Sequence, residues 1–190
     1  MTSSLRIPLG VLLVLSVFYL INQRQQKSHS ISGEKIFHGK NEDVVRFVIK
    51  ENDKELEIVS MDTTWKITGS DSLVIKENQL DNFFDRVLSV KKDVLQSDNP
   101  EKWEKFGIGD SIGRILQVFD KNDNMLIHYI FGRSSTDYQH NYVREANSNE
   151  VYRTNDNVYF LLNSRPTYWG NKPTPPTPDE VETNDDTPSD

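Results

Sequence analysis

The stretch Ile112 to Gly132, I-G-R-I-L-Q-V-F-D-K-N-D-N-M-L-I-H-Y-I-F-G, decides the fold. It reads as two extended runs, Ile112 to Phe119 and Met125 to Phe131, joined by a turn at Asp120-Lys-Asn-Asp-Asn. Side chains alternate along a strand, so Met125, Ile127, Tyr129 and Phe131 share one face, with Leu126, His128 and Ile130 on the other. Both faces are largely apolar. The return run is therefore expected to be a central strand covered on both sides, by helices or by a partner.

Working outward, Val45, Phe47 and Ile49 share a face before the turn Glu51-Asn-Asp-Lys54, and Leu56 and Ile58 resume the pattern. That is a hairpin signature. Trp65-Lys66-Ile67 adds a short extended piece. Tyr142 to Arg144 and Val151 to Arg153 form a third hairpin around Ala146-Asn-Ser-Asn-Glu150. Leu80, Phe83, Phe84, Val87 and Leu88 stand at helical spacing and predict one amphipathic helix over about 77–90. Asn99-Pro100 caps a short helix running through Trp103 towards Phe106 and ended by Gly107. A last short helix is expected over Asp156 to Leu162, with Val158, Leu161 and Leu162 inward. The expected fold class is α+β, with antiparallel hairpins packed against one main amphipathic helix and short helices, over residues 41–169.

A single transmembrane helix is expected ahead of this domain. Ile7 to Ile21 carries no charge, and Arg6 is close enough to its end to snorkel. A membrane-crossing helix needs roughly 20 residues, so a span over residues 5–21 is short but sufficient in a thin bilayer. The following Asn22-Gln-Arg-Gln-Gln-Lys-Ser-His lacks the small-residue pattern of a signal-peptide cleavage site. Residues 1–22 therefore read as an uncleaved anchor and 23–40 as a polar linker. Flanking positive charges are nearly tied, Arg6 against Arg24 and Lys27. The short N-terminal stub favours export of the domain, which places it on the extracytoplasmic side of the bacterial inner membrane.

The chain has 190 residues, 22 Lys+Arg against 29 Asp+Glu, and no cysteine. Without cysteine there is no disulfide scaffold, thiolate metal site or thiol nucleophile. No Lys/Arg stripe occurs in the domain, so nucleic acid is not an expected partner. Residues 170–190 are rich in Pro, Thr and acidic side chains without an aromatic, and read as a disordered tail.

No cofactor or metal is expected either. His29, His38, His128 and His140 lie in no ligand spacing. The glycines of F-G-I-G-D-S-I-G follow a helix and lead into a strand, the reverse of a dinucleotide-binding turn. The acids around Asp120 and Asp123 lack the glycine and distal Glu of a calcium loop. A catalytic or ligand-binding reading would have to use Asp110, His128 or His140, in an envelope hydrolase or ligand-binding protein. Arg133, Tyr138, Tyr142, Arg144, Arg165, Tyr168 and Trp169 instead supply the cationic forks and amphipathic rings common at protein interfaces. They are the candidate interface, and no catalytic residue is assigned.

The order of these features resembles a known family. A hairpin, the Trp65-Lys-Ile67 segment, the amphipathic helix, Phe106-Gly-Ile108, a hairpin ending Ile130-Phe-Gly132, Tyr142-Val-Arg144 and Val151-Tyr152 together resemble one unit of DUF4340, across about residues 41–169. The resemblance implies an N-terminal membrane segment, an α+β unit and no established catalytic residues. It further implies an accessory or protein-interaction role in the bacterial cell envelope, often beside ABC-type transporter components. The chain departs from longer members in having one unit, which makes self-association plausible, and it lacks a proline after the Gly-Ile step.

Overall fold

The computed structural model describes residues 12, 13, 15–17, 33–62 and 64–173. Eleven strands occur in chain order: β1 (Glu34–Lys35), β2 (Arg46–Glu51), β3 (Lys54–Met61), β4 (Thr64–Ile67), β5 (Val74–Ile75), β6 (Lys91–Ser97), β7 (Arg114–Phe119), β8 (Met125–Gly132), β9 (Tyr142–Glu145), β10 (Val151–Thr154) and β11 (Gly170–Asn171). Nine form one sheet in the order β1-β6-β10-β9-β8-β7-β2-β3-β4, and β5 pairs with β11. The architecture is mainly antiparallel sheet with few, short helices, less helical than the periodicity suggested.

The expected hairpins form. β8 lies at the middle of the large sheet, between β7 and β9. The β2–β3 turn places Asn52 at φ 52°, and the β7–β8 turn places Asp123 at φ 63°. Asn and Asp tolerate this left-handed region better than most residues. In the second turn the Asp120 carboxylate accepts the backbone N–H groups of Asn122 and Asn124 at 2.8 and 2.9 Å. A bulge at Val118–Phe119 then breaks the alternation, leaving Met125 exposed while Ile127, Tyr129 and Phe131 are buried.

One face of the sheet carries the main core: Phe47, Ile49, Leu56, Ile58, Leu116, Val118 and Phe131 pack with Phe83, Val87 and Leu88. The helix supplying the last three differs from expectation. It is α-helical only over Glu77–Asn82 and continues as a π-turn over Phe83–Val87, closed by the Leu88 N–H to the Phe83 carbonyl at 3.0 Å. The wider turn brings Phe83, Val87 and Leu88 to the core together. Phe83 stacks on Phe47 with ring centroids 3.9 Å apart.

The second face is covered only in part. Phe106 and Ile108 pack on Ile130 and Val151, flanked by Trp103 and Tyr142. Their segment consists of 3₁₀ turns at Pro100–Lys102 and Glu104–Phe106, opened by the Asn99 cap and ended by Gly107 at φ 65°. Over β2 and β3 the same face is solvated and laced by the ion pairs Arg46–Glu57 and Lys50–Glu55.

Three expected boundaries change. β1 pairs with β6, and Ile36 and Phe37 are buried, so the folded unit begins inside the linker drawn over 23–40. Gly170 and Asn171 belong to β11 and not to the tail. The helix expected over Asp156 to Leu162 is a single 3₁₀ turn, Tyr159–Leu161. Among the described residues no helix is long and apolar enough to cross a membrane. Most of the expected 5–21 span, the remaining linker and residues 174–190 lie outside the described residues.

A candidate interaction surface at one end of the sheet

Antiparallel register brings Glu51, Arg114, Gly132 and Tyr142 to one end of the sheet, through the pairs Glu51↔Arg114, Arg114↔Phe131 and Gly132↔Tyr142. Residues 157–165 run across this end as a strap. Asn157 Nδ2 donates to the Tyr138 carbonyl at 3.0 Å, and the Val158 N–H donates to Asn141 Oδ1 at 2.9 Å. Arg114 Nη1 donates to the Tyr159 carbonyl at 2.7 Å, and Ser164 Oγ to Glu51 Oε2 at 3.0 Å. The Trp169 indole N–H donates to the Asn163 carbonyl at 2.6 Å and ties the far side of the strap to the core. Burial alone would raise the Glu51 pKa, but the hydrogen bond and charge of Arg114, aided by Ser164, hold it below the usual value.

The strap separates the candidate residues into two groups. Arg133, Tyr138 and Arg165 are exposed, Tyr138 by 72%. The Arg133 guanidinium lies 5.3 Å from the ring centre of Phe160, itself 48% exposed. Sequence reading missed Phe160. The signal available was the run Tyr159-Phe-Leu-Leu162, too continuous for a short turn to turn wholly inward. Tyr142 and Tyr168 are half-buried, against Phe106 and Trp169 respectively. Burial raises the Tyr168 phenol above its ordinary value.

Arg144 and Trp169 correct the expected interface, because each is only 1% exposed. The Arg144 side chain lies over the Trp103 ring, and its Nη1 donates to the Ala146 and Ser148 carbonyls at 3.0 and 3.3 Å. Its Nη2 reaches Asp110 at 2.5 Å. An arginine on a β-strand that meets this many acceptors within its own domain is a structural clamp.

Pairing divides the remaining arginines. Arg46, Arg86, Arg114, Arg144 and Arg153 each contact a carboxylate. Among the described residues, Arg133 and Arg165 form no ion pair, and both stand at the strapped end. In a chain with excess acid, these two guanidinium groups, Arg133 against the exposed Phe160, are left to face outward at one end of the sheet.

Of the residues of the alternative, catalytic reading, Asp110 and His128 lie within reach of one another's charge, while His140 is engaged elsewhere. Asp110 is engaged by Arg144. The His128 carbonyl accepts from the Ala146 N–H, four residues along β8 from Gly132. Burial first, then Lys50 and Arg144, lower the His128 pKa against the opposing Asp110. His140 lies beyond the other end of β9, with Nδ1 2.6 Å from Asp137. Surface depressions are lined by Asp43, Asp120 and Leu126, by Trp65, Leu73 and Val74, and by Val44, Ser60 and Phe84. Asp110, His128 and His140 line none of the three.

A family model described as a domain of unknown function, DUF4340, matches residues 65–176. No curated protein and no solved structure matches the chain. The family match covers more than half of the sequence and contains Arg133, Tyr138, Phe160 and Arg165, and the chain belongs to that family.

Proposed function

We propose that this DUF4340 member is a membrane-tethered, non-catalytic accessory module of the bacterial cell envelope. Its folded head works by contact, and the strapped end of the sheet is its contact surface. The observation that carries the reading is the apolar N-terminal run. Leu12, Leu13 and Leu15 are helical and 63–65% exposed, so the folded domain does not cover them. A helix that is apolar all round requires an apolar surrounding, and a bilayer supplies one. Tethering raises the local concentration of the head beside membrane partners, so a modest interface suffices. The family resemblance makes a subunit of an ABC-type transporter the first partner class to test, with self-association second.

The test compares the full chain with a form lacking residues 1–22. The full chain is expected to stay with membranes at high salt and to crosslink to membrane proteins. The shortened form is expected to be folded, soluble and without those crosslinks, since Ile36 to Trp169 contains both hydrophobic clusters. Equal crosslinking by the two forms would overturn the reading.

A further inference from the structure

We propose that the strapped end of the sheet rests on the anionic phospholipid headgroups of the membrane to which the chain is tethered. The inference builds on the tether just described and names what meets the contact surface. Three observations carry it.

The first is chemistry. Arg133 and Arg165 are exposed and unpaired among the described residues, and Tyr138 and Phe160 are exposed at the same end, Phe160 against Arg133. A planar guanidinium matches a phosphodiester in a forked geometry. Amphipathic aromatic rings favour the level of the headgroups. The nearby charges leave the two arginines free: Asp53 and Lys54 offset one another in the β2–β3 turn, Asp137 is held by His140, and Glu51 by Arg114.

The second is asymmetry. The opposite end of the sheet carries Asp120 and Asp123 in the β7–β8 turn, with Glu42 and Asp43 beside Asp120 around one depression, an excess of acid over the Lys121 that shares it and the Arg46 paired to Asp123. An anionic surface would repel that end and attract the strapped one.

The third is where the tether joins. The Gly33 N–H donates to the Lys92 carbonyl, and Lys92 is in register with Thr154, the last residue of β10 at the strapped end. Residues 22–32 extend at most about 40 Å. Neighbouring strands are about 4.8 Å apart, so Arg133, beyond the end of β8, lies about 19 Å across the sheet from β1. The tether therefore joins β1 within two residues of the strapped end, on the side facing away from it, and is long enough to let that end rest on the bilayer.

Because the chain lacks cysteine, a single introduced thiol reports one place. The full chain is reconstituted in vesicles of phosphatidylcholine alone or with phosphatidylglycerol. A fluorophore is placed on Ser135→Cys, in the exposed loop after Arg133, or on Lys121→Cys in the opposite turn. With phosphatidylglycerol, the label at 135 is expected to become about fivefold less accessible to a water-soluble quencher, the size of one cation's attraction to an anionic surface. The label at 121 should not change. The shielding should disappear in Arg133→Gln/Arg165→Gln, whose exposed sites do not endanger folding. An accessible 135 label in anionic vesicles overturns this inference and leaves the tether standing. Shielding found only in native membranes assigns the surface to a protein and overturns it too. So does shielding in detergent that is lost on removing residues 174–190, which assigns the arginines to the acidic tail. A chain that does not stay with vesicles overturns the tether and this inference together.

Discussion

The Arg144 guanidinium carbon lies 3.6 Å from the ring centre of Trp103, fixing the 3₁₀ segment to the second face of the sheet. Around it, four backbone and carboxylate oxygens from Ile108, Asp110, Ala146 and Ser148 converge on the same side chain. Arg144→Ala is therefore expected to destabilise the domain by about 3 kcal/mol, through the lost cation–ring contact and carbonyls left without a donor. Arg144→Lys should recover only part, because an ammonium cannot fork. Arg133→Ala and Arg165→Ala should stay within about 0.5 kcal/mol of the parent. Urea denaturation of the three positions separates the clamp from the surface arginines.

Phe83 is fully buried and stacked on Phe47, at the start of the π-turn. Phe83→Ala is expected to cost about 3–5 kcal/mol. Phe84→Ala, whose ring lies partly exposed against Trp65, should cost less. A reversed order in thermal or chemical unfolding would show that the turn is packed differently.

Gly132 lets the chain at Phe106 approach β8 closely. A Cβ at position 132 would stand 2.1 Å from the Phe106 carbonyl oxygen and 2.6 Å from Ile108 Cγ2. Gly132→Ala should therefore destabilise by about 1–3 kcal/mol as the backbone is forced apart. Gly69, at φ 73° with open space around it, provides the contrast: Gly69→Ala meets only backbone strain, about 1 kcal/mol.

Glu51 couples the strap to the sheet, and its folded-state pKa lies below its ordinary value of 4.5. A carboxyl with a lowered folded pKa stabilises fully above its unfolded pKa and loses that contribution as pH falls through the folded value. Stability should hold from neutral pH down to about 4.5 and decline below it as Glu51 takes up a proton. Glu51→Gln should lower stability at pH 7 by about 2 kcal/mol and flatten that acid decline. Unfolding free energies measured from pH 7 to 3 test both parts.

Much of the fold was legible because local chemistry and tertiary packing agree. Asp120 and Asn52 mark turns by side-chain hydrogen bonding and tolerance of positive φ, and the hairpins around them formed. β6 was not read, since Lys91-Lys-Asp-Val-Leu-Gln-Ser has no clean alternation and its pairing with β10 is interrupted by shifts in register. The π-turn at Phe83 was hidden because the same apolar spacing suits an α-helix. The candidate surface was half legible: Arg133, Tyr138 and Arg165 are outward, while Arg144 and Trp169 are consumed within the domain. Residue type alone does not distinguish them, because arginine and tryptophan serve equally in a clamp or at a surface.

By itself the sequence determined the hairpins, the apolar N-terminal run, the absence of thiol chemistry and the family, all of which follow from residue order and local preference. Only the tertiary structure decided which arginines are free. A guanidinium is spent or available according to the carboxylates and carbonyls that distant strands bring to it, and those distances arise from sheet register and from the strap that crosses the sheet's end.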